Sequence, residues 1–247
     1  MSMKPILFND QMVRAILDGR KTQTRRVCKV SSRSRNIENK ECKSVIYPSS
    51  NMFGICADFY DMNGFWRGAA KPLYKPGDIL YVREAWKNAT GDPAGGGYAL
   101  FDTYVYRADG KAKDDYPIDC LMVEDRWHPS IHMPKEAARI FLRIINIRVE
   151  RLQDAEECDI EDEGYMGCPN EHTVYFPEGG AEPCLNIEGE CPYHGWYCNH
   201  SLAEGFGRDV WDETIKPEDL SRYGWDANPW VWVISFEKID KEEAMES

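Results

Sequence analysis

No run of apolar residues in the chain approaches the eighteen or more that a membrane-spanning helix needs, and Met1-Ser2-Met3-Lys4-Pro5 carries no apolar leader-like segment. The expectation is therefore a soluble, cytoplasmic protein. No internal repeat is present, and no stretch reads as a flexible linker between two independent cores. Positive charge is in deficit: 30 Lys and Arg stand against 42 Asp and Glu, a net charge of -12. That excludes a protein that coats nucleic acid non-specifically, which needs a broad positive field. Cys-x-x-Cys pairs are absent, and no His-x-Glu precedes the cysteine-rich region in the manner of a zinc deaminase.

What the 247 residues do contain is aromatic side chain, 12 % in all, with 8 Trp and 13 Tyr. A disordered chain lacks this content, so a packed core is expected. The length suits one large domain, or one domain enlarged by insertions. The charge is uneven. Residues 1–43 hold eleven basic side chains against four acidic ones, which leaves 19 basic and 38 acidic residues for positions 44–247. A basic segment on an acidic body can hold a local anion site; Lys29 to Lys43 reads equally as a solvated basic loop.

Residues 9 to 19 predict a short helix, with Asn9 or Asp10 as cap, Met12, Val13, Ile16 and Leu17 on one stripe, and Gly19 as its stop. Residues 31–75 show no sustained period and read as an irregular insertion that partly packs on the core. Strands are expected at 79–86 after the Pro76-Gly77-Asp78 turn, at 98–107, at 140–149 and at 230–236. In the third, the apolar parity shifts after Ile144, which predicts a bulge or a strand buried on both faces. Residues 152–164 predict an acidic helix stopped by Gly164, residues 165–205 a second insertion, 206–215 a further helix, and 238–247 a polar tail. Several strands with few helices indicate a β-barrel or an α+β domain carrying insertions.

Three constellations carry chemistry. The first is Lys21 and Thr24 among Arg20, Arg25 and Arg26. A lysine among like charges has its charged form disfavoured and can take a proton from a neighbouring hydroxyl. Lys21 and Thr24 share a face if the stretch is a helical turn and oppose one another in a regular strand. The alternative is an anion-binding loop without chemistry. The second is Arg83, Glu84 and Trp86. Glu84 on a strand can face a pocket and Trp86 can stack on a base; otherwise Trp86 is core, as its size favours. The third is Cys184-x6-Cys191-x2-His194-x3-Cys198-x-His200, with Cys168 upstream. Cys168, Cys184, Cys191 and Cys198, with His194 as substitute, are candidate ligands of a structural zinc that would order a stretch poor in aliphatic residues; the alternative is free thiols. His128 and His132, separated by Pro129, read as surface or structural residues.

Ile16-Leu17-Asp18-Gly19-Arg20-Lys21-Thr22-Gln23-Thr24-Arg25-Arg26 resembles the signature of the ASCH domain, a β-barrel family related to the PUA RNA-binding domain. Pro76-Gly77-Asp78-Ile79-Leu80-Tyr81-Val82 resembles its Gly-Asp turn into a strand, and Asp159-Ile160-Glu161-Asp162-Glu163-Gly164 its later helix ending in Glu. Val82-Arg83-Glu84-Ala85-Trp86 and Asn228-Pro229-Trp230-Val231-Trp232-Val233 are similar to blocks of the phage and prophage branch. About half of the chain is covered, in blocks.

The resemblance implies an α+β fold: a single PUA-like barrel over 1–247 with short flanking helices and insertions at about 31–75 and 165–205. It implies action on a nucleoside or RNA in a bacterial host cytoplasm, by an amidohydrolase that removes the acyl group of an N4-acylated cytidine. Lys21 would be the base, Thr24 the nucleophile and Glu163 the acid/base, with no cofactor needed for catalysis. Arg20, Arg25, Arg26, Glu84 and Trp86 would contact substrate, Arg26 through a phosphate or the substrate carbonyl. The alternatives are a ribonuclease of the same fold and a non-catalytic RNA-binding or phage accessory protein. Glu161 and Asp162 beside Glu163 leave open a merely solvated acidic face.

Overall fold

The computed structural model describes residues 3–31, 39–51, 54–91, 101–166, 173–175, 181–183 and 202–246. In chain order the elements are β1 (Lys4–Leu7), α1 (Asp10–Leu17), β2 (Gln23–Val27), β3 (Ser44–Asn51), β4 (Gly54–Tyr60), β5 (Trp66–Ala70), β6 (Ile79–Arg83), β7 (Trp86–Gly91), β8 (Phe101–Tyr106), β9 (Leu121–Val123), β10 (Phe141–Arg151), α2 (Glu157–Asp162), β11 (Thr173–Tyr175), β12 (Ala181–Pro183), α3 (Leu202–Phe206), α4 (Leu220–Tyr223), β13 (Trp230–Ile239) and α5 (Lys241–Glu246). The protein is mixed α+β and mostly sheet. No closed barrel is found among the described residues. No helix among them is long and apolar enough to cross a membrane.

Two compact units share the chain, one made of Met1–Thr22, Tyr74–Asn146 and Ser235–Ser247, the other of Gln23–Leu73 and Ile147–Ile234. Strands β10 and β13 run through both. In the first unit the strand order is β1-β6-β10-β13. β1 lies parallel to β6 with Ile6 opposite Val82, and β10 is antiparallel to β6 with Phe141 opposite Tyr81. A second sheet, β8-β7-β9, pairs Trp86 with Tyr106 and Ala89 with Val123. The core here is Ile79, Tyr81, Trp86, Tyr106, Met133, Phe141 and Ile239. Helix α1 follows the sequence closely. The Asn9 side chain accepts from Met12 N at 2.9 Å, Val13, Ala15 and Ile16 are buried, and Gly19 turns the chain at φ 76°.

The second unit has the order β10-β13-β2, the sheet β3-β4-β5 and the hairpin β11-β12. Its core gathers Leu152, Ile160, Tyr165, Phe206, Trp211, Trp225, Val231 and Val233. Residues 31–75 are thus not irregular, as the sequence led us to expect, but largely a three-stranded antiparallel sheet. Cys56, Ala57, Asp58 and Phe59 of β4 are all buried, so no alternating pattern appears over these four positions, while Ile55 before them is exposed. The polar tail also needs correction. β13 continues to Ile239, and α5 follows with Ala244 buried. The expected strand at 79–86 ends at Arg83, and β7 starts at Trp86. In β10, Phe141 and Leu142 are both buried, so burial on two faces holds at the strand's start, but Ile145 is 56 % exposed and of the expected second set only Ile147 is buried.

Candidate active site

The residues singled out by sequence fall on both units. Lys21 belongs to the first. The hydrogen bonds of Arg20 N and Lys21 N to Ala15 O, at 2.8 and 3.0 Å, close the turn after α1. The lysine side chain is withdrawn from solvent, 2 % exposed, with Nζ 5.6 Å from the centroid of the Phe8 ring. Arg20 differs; it is half-buried and pairs with Asp18 at 2.8 Å. The stretch onward is extended rather than a helical turn.

Thr24, Arg25 and Arg26 lie on β2 in the second unit. Thr24 is fully buried, and its Oγ1 accepts a hydrogen bond from Arg26 at 2.7 Å. A hydroxyl engaged this way keeps its own proton to give. The Arg25 guanidinium has no solvent exposure. It donates to Glu150 Oε1 at 2.8 Å and to Glu163 Oε1 at 3.3 Å, and lies 3.5 Å from Asp159 Oδ2. A buried arginine requires such partners, because an unpaired buried charge is strongly unfavourable. Arg25 is thereby committed to carboxylates inside the unit.

Helix α2 supplies two of these carboxylates. Ile160 anchors it in the core, and residues four apart on a helix share a face, so Asp159 and Glu163 reach the same guanidinium. The three neighbouring acids separate here. Glu161 is exposed, Asp162 is half-buried and accepts from Gln23 Nε2 at 2.7 Å, and Glu163 is buried at 6 % exposure. Gly164, at φ 81°, follows Glu163 as the helix stop.

Four residues of this network were not marked by the sequence reading: Gln23, Arg148, Glu150 and Asp159. Arg148 donates to Glu150 Oε2 at 2.9 Å and to Asp159 Oδ1 at 2.6 Å, and its NH1 reaches Gln23 Oε1 at 3.3 Å. Burial works to raise the Asp159 carboxyl, but the bond and charge of Arg148, the charge of Arg25 and the Gln23 bond outweigh it and hold it below the ordinary aspartate range. The available signal was two charged residues, Arg148 and Glu150, two apart on a strand and hence on one face.

Glu84 and Trp86 belong to the first unit and to its packing. Glu84 is 1 % exposed, and both its oxygens accept from Arg139 at 2.9 Å. Arg139 also binds Asp109 at 2.8 Å and lies 3.9 Å from the Tyr106 ring centroid. Burial raises the Glu84 carboxyl despite Arg139. Trp86 is core, stacked on His128 with ring centroids 4.7 Å apart and meeting the edge of Tyr104 at 5.5 Å. His128 pairs with Glu124 at 2.9 Å.

The proposed zinc ligands Cys168, Cys184, Cys191, Cys198 and His194 lie outside the described residues. Among the described residues no group of three or more His, Cys, Asp or Glu side chains is arranged to hold a metal. Comparison with protein-family models, with curated proteins and with solved structures finds no match.

Proposed function

We propose that the chain is an ASCH-type, PUA-like protein that acts on nucleosides, as an amidohydrolase removing the acyl group from N4-acylated cytidine. The reading rests on the resemblance of the Lys21–Arg26 segment and of the helix ending in Glu163 to that family. One observation strengthens it: of the acids at the end of α2, the one matched by the resemblance is the buried one, held by an arginine from β2. A solvated acidic face would leave Glu163 as exposed as Glu161.

In the reaction that the resemblance implies, Thr24 Oγ1 attacks the acyl carbonyl carbon and its proton passes to the base, the role assigned to Lys21. Collapse of the tetrahedral intermediate breaks the C–N4 bond, and the proton first taken from Thr24 passes to the leaving amine of cytidine. Glu163 then takes a proton from water as it attacks the acyl ester on Thr24 and gives that proton to the departing Oγ1, releasing acetate with the hydroxyl restored.

The test is acetate release from N4-acetylcytidine by the purified protein beside Lys21→Ala. The expected result is turnover in the wild type and a loss of at least about 100-fold in the variant, the lower range for removal of a general base, with binding little changed. Equal turnover in both, or none in the wild type, would overturn the assignment.

A further inference from the structure

We infer that Arg25 is a positioning residue for Glu163, an internal anchor that fixes the carboxylate through which the proposed hydrolysis would move its proton; the inference rests on that reaction. The observations are geometric. Arg25 sits on the strand residue next to Thr24, and its guanidinium is wholly buried. Its two terminal nitrogens point at separate acids: NH1 donates to Glu163 Oε1 at 3.3 Å and to the carbonyl of Asp159 at 3.4 Å, NH2 to Glu150 at 2.8 Å. The same side chain therefore touches the main chain of α2, the terminal carboxylate of α2 and a carboxylate of β10.

A planar guanidinium with donors in a fixed fork sets both distance and direction for the groups it binds; a lysine ammonium sets neither. The nucleophile's strand and the acid/base are thus tied by one rigid group within the second unit. Glu150 and Asp159 do not lie idle in this arrangement. Arg148 donates to both from the other side, at 2.9 and 2.6 Å, so the acids that share Arg25 with Glu163 are themselves held. Glu163 then experiences Arg25 as a fixed donor instead of a side chain that can swing toward a better partner. The role is distinct from gripping substrate, because both terminal nitrogens of Arg25 are taken up by Asp159, Glu163 and Glu150.

The experiment compares wild type, Arg25→Met, Arg25→Lys and Arg151→Lys in steady-state hydrolysis of N4-acetylcytidine, with circular dichroism and thermal unfolding as checks on folding. Misplacing a catalytic group by about 1 Å can cost on the order of 100-fold. Arg25→Met is expected to lower kcat by that order with KM within about threefold, since the substrate contacts remain. Arg25→Lys is expected to recover part of the loss because the charge returns without the fork. Arg151→Lys, the same kind of change in the same unit but outside this network, where Arg151 donates to the carbonyl of Asn228 at 2.8 Å, is expected to leave kcat within about threefold.

If Arg25→Met does not fold, the comparison of Arg25→Lys with Arg151→Lys carries the test: a kcat loss confined to the former supports the inference, and equal losses overturn it. A folded Arg25→Met with wild-type kcat overturns the inference and leaves the amidohydrolase standing. No turnover by the wild type removes both. A readout free of turnover is the glutamate side-chain carboxyl carbon spectrum. The Glu163 signal, assigned by its disappearance in Glu163→Gln, shifts in Arg25→Lys if the contact exists, and a signal that stays in place denies it.

Discussion

Glu84 and Glu163 are both buried carboxylates held by arginine, but their surroundings differ. Glu84 receives two bonds from Arg139 and remains raised by burial, whereas Glu163 shares Arg25 with two other acids. Removing Arg139 leaves Glu84 charged without donors, and breaking a buried pair from one side costs about 3–5 kcal/mol. Arg139→Met is therefore expected to lose about that much stability at pH 7 by urea unfolding. The deficit should shrink as pH falls, because burial raises the Glu84 carboxyl and a protonated Glu84 has less need of the cation; a deficit under about 1 kcal/mol at pH 7 would show the pair to be dispensable. At this scale the sequence reached Glu163 only through the glycine after it. It did not reach the fate of Arg25, whose partners lie 125 to 138 positions away along the chain.

Among the elements, α1 was the most legible, because cap, apolar stripe and terminal glycine are local signals; the helix expected over 152–164 had only its terminal glycine, and α2 is confined to Glu157–Asp162. Asn9 accepts from Met12 N, and the loss of such a cap costs about 1 kcal/mol. Asn9→Ala should lower the unfolding free energy by about that amount, while Asn9→Asp should leave it nearly unchanged; equal losses in both would assign the effect to something other than capping. The sheet β3-β4-β5 was not legible. Asp58 in β4 is 7 % exposed and accepts from Ser49 Oγ and from the Trp66 indole at 2.9 Å, so a polar residue occupies an interior position. A pattern method reads Asp as solvent-facing and so loses the strand's period. The short α5 was missed for the opposite reason: Ala244 is the one buried side chain of its described residues, too little to mark a periodic stripe.

For the molecule as a whole, charge predicts behaviour toward acid. Asp159 and Asp109 are both held below the ordinary aspartate value of 3.8; burial opposes this, and the bonds and charges of Arg148 and Arg139 respectively outweigh it. A carboxylate lowered on folding contributes stability that is present above its unfolded value and lost as pH falls through its folded value. Glu84 has the opposite sign, its contribution being present at low pH and lost as pH rises through its folded value. The melting temperature is expected to fall as pH drops from about 5 to about 3, and Asp159→Asn should flatten part of that slope; an unchanged slope would exclude Asp159 as a contributor. Read alone, the chain determined a mixed α+β protein with an aromatic core, a capped helix after Asn9, an acidic helix ending at Gly164, strands at 140–149 and 230–236, and a short set of residues worth testing. Those features follow from periodicity and from groups within a few residues of one another. The tertiary structure decided which charged side chains are buried, which acid of α2 faces an arginine, and that residues 44–70 form a sheet. Each of these depends on segments far apart in the chain excluding water together, and no local pattern carries that information.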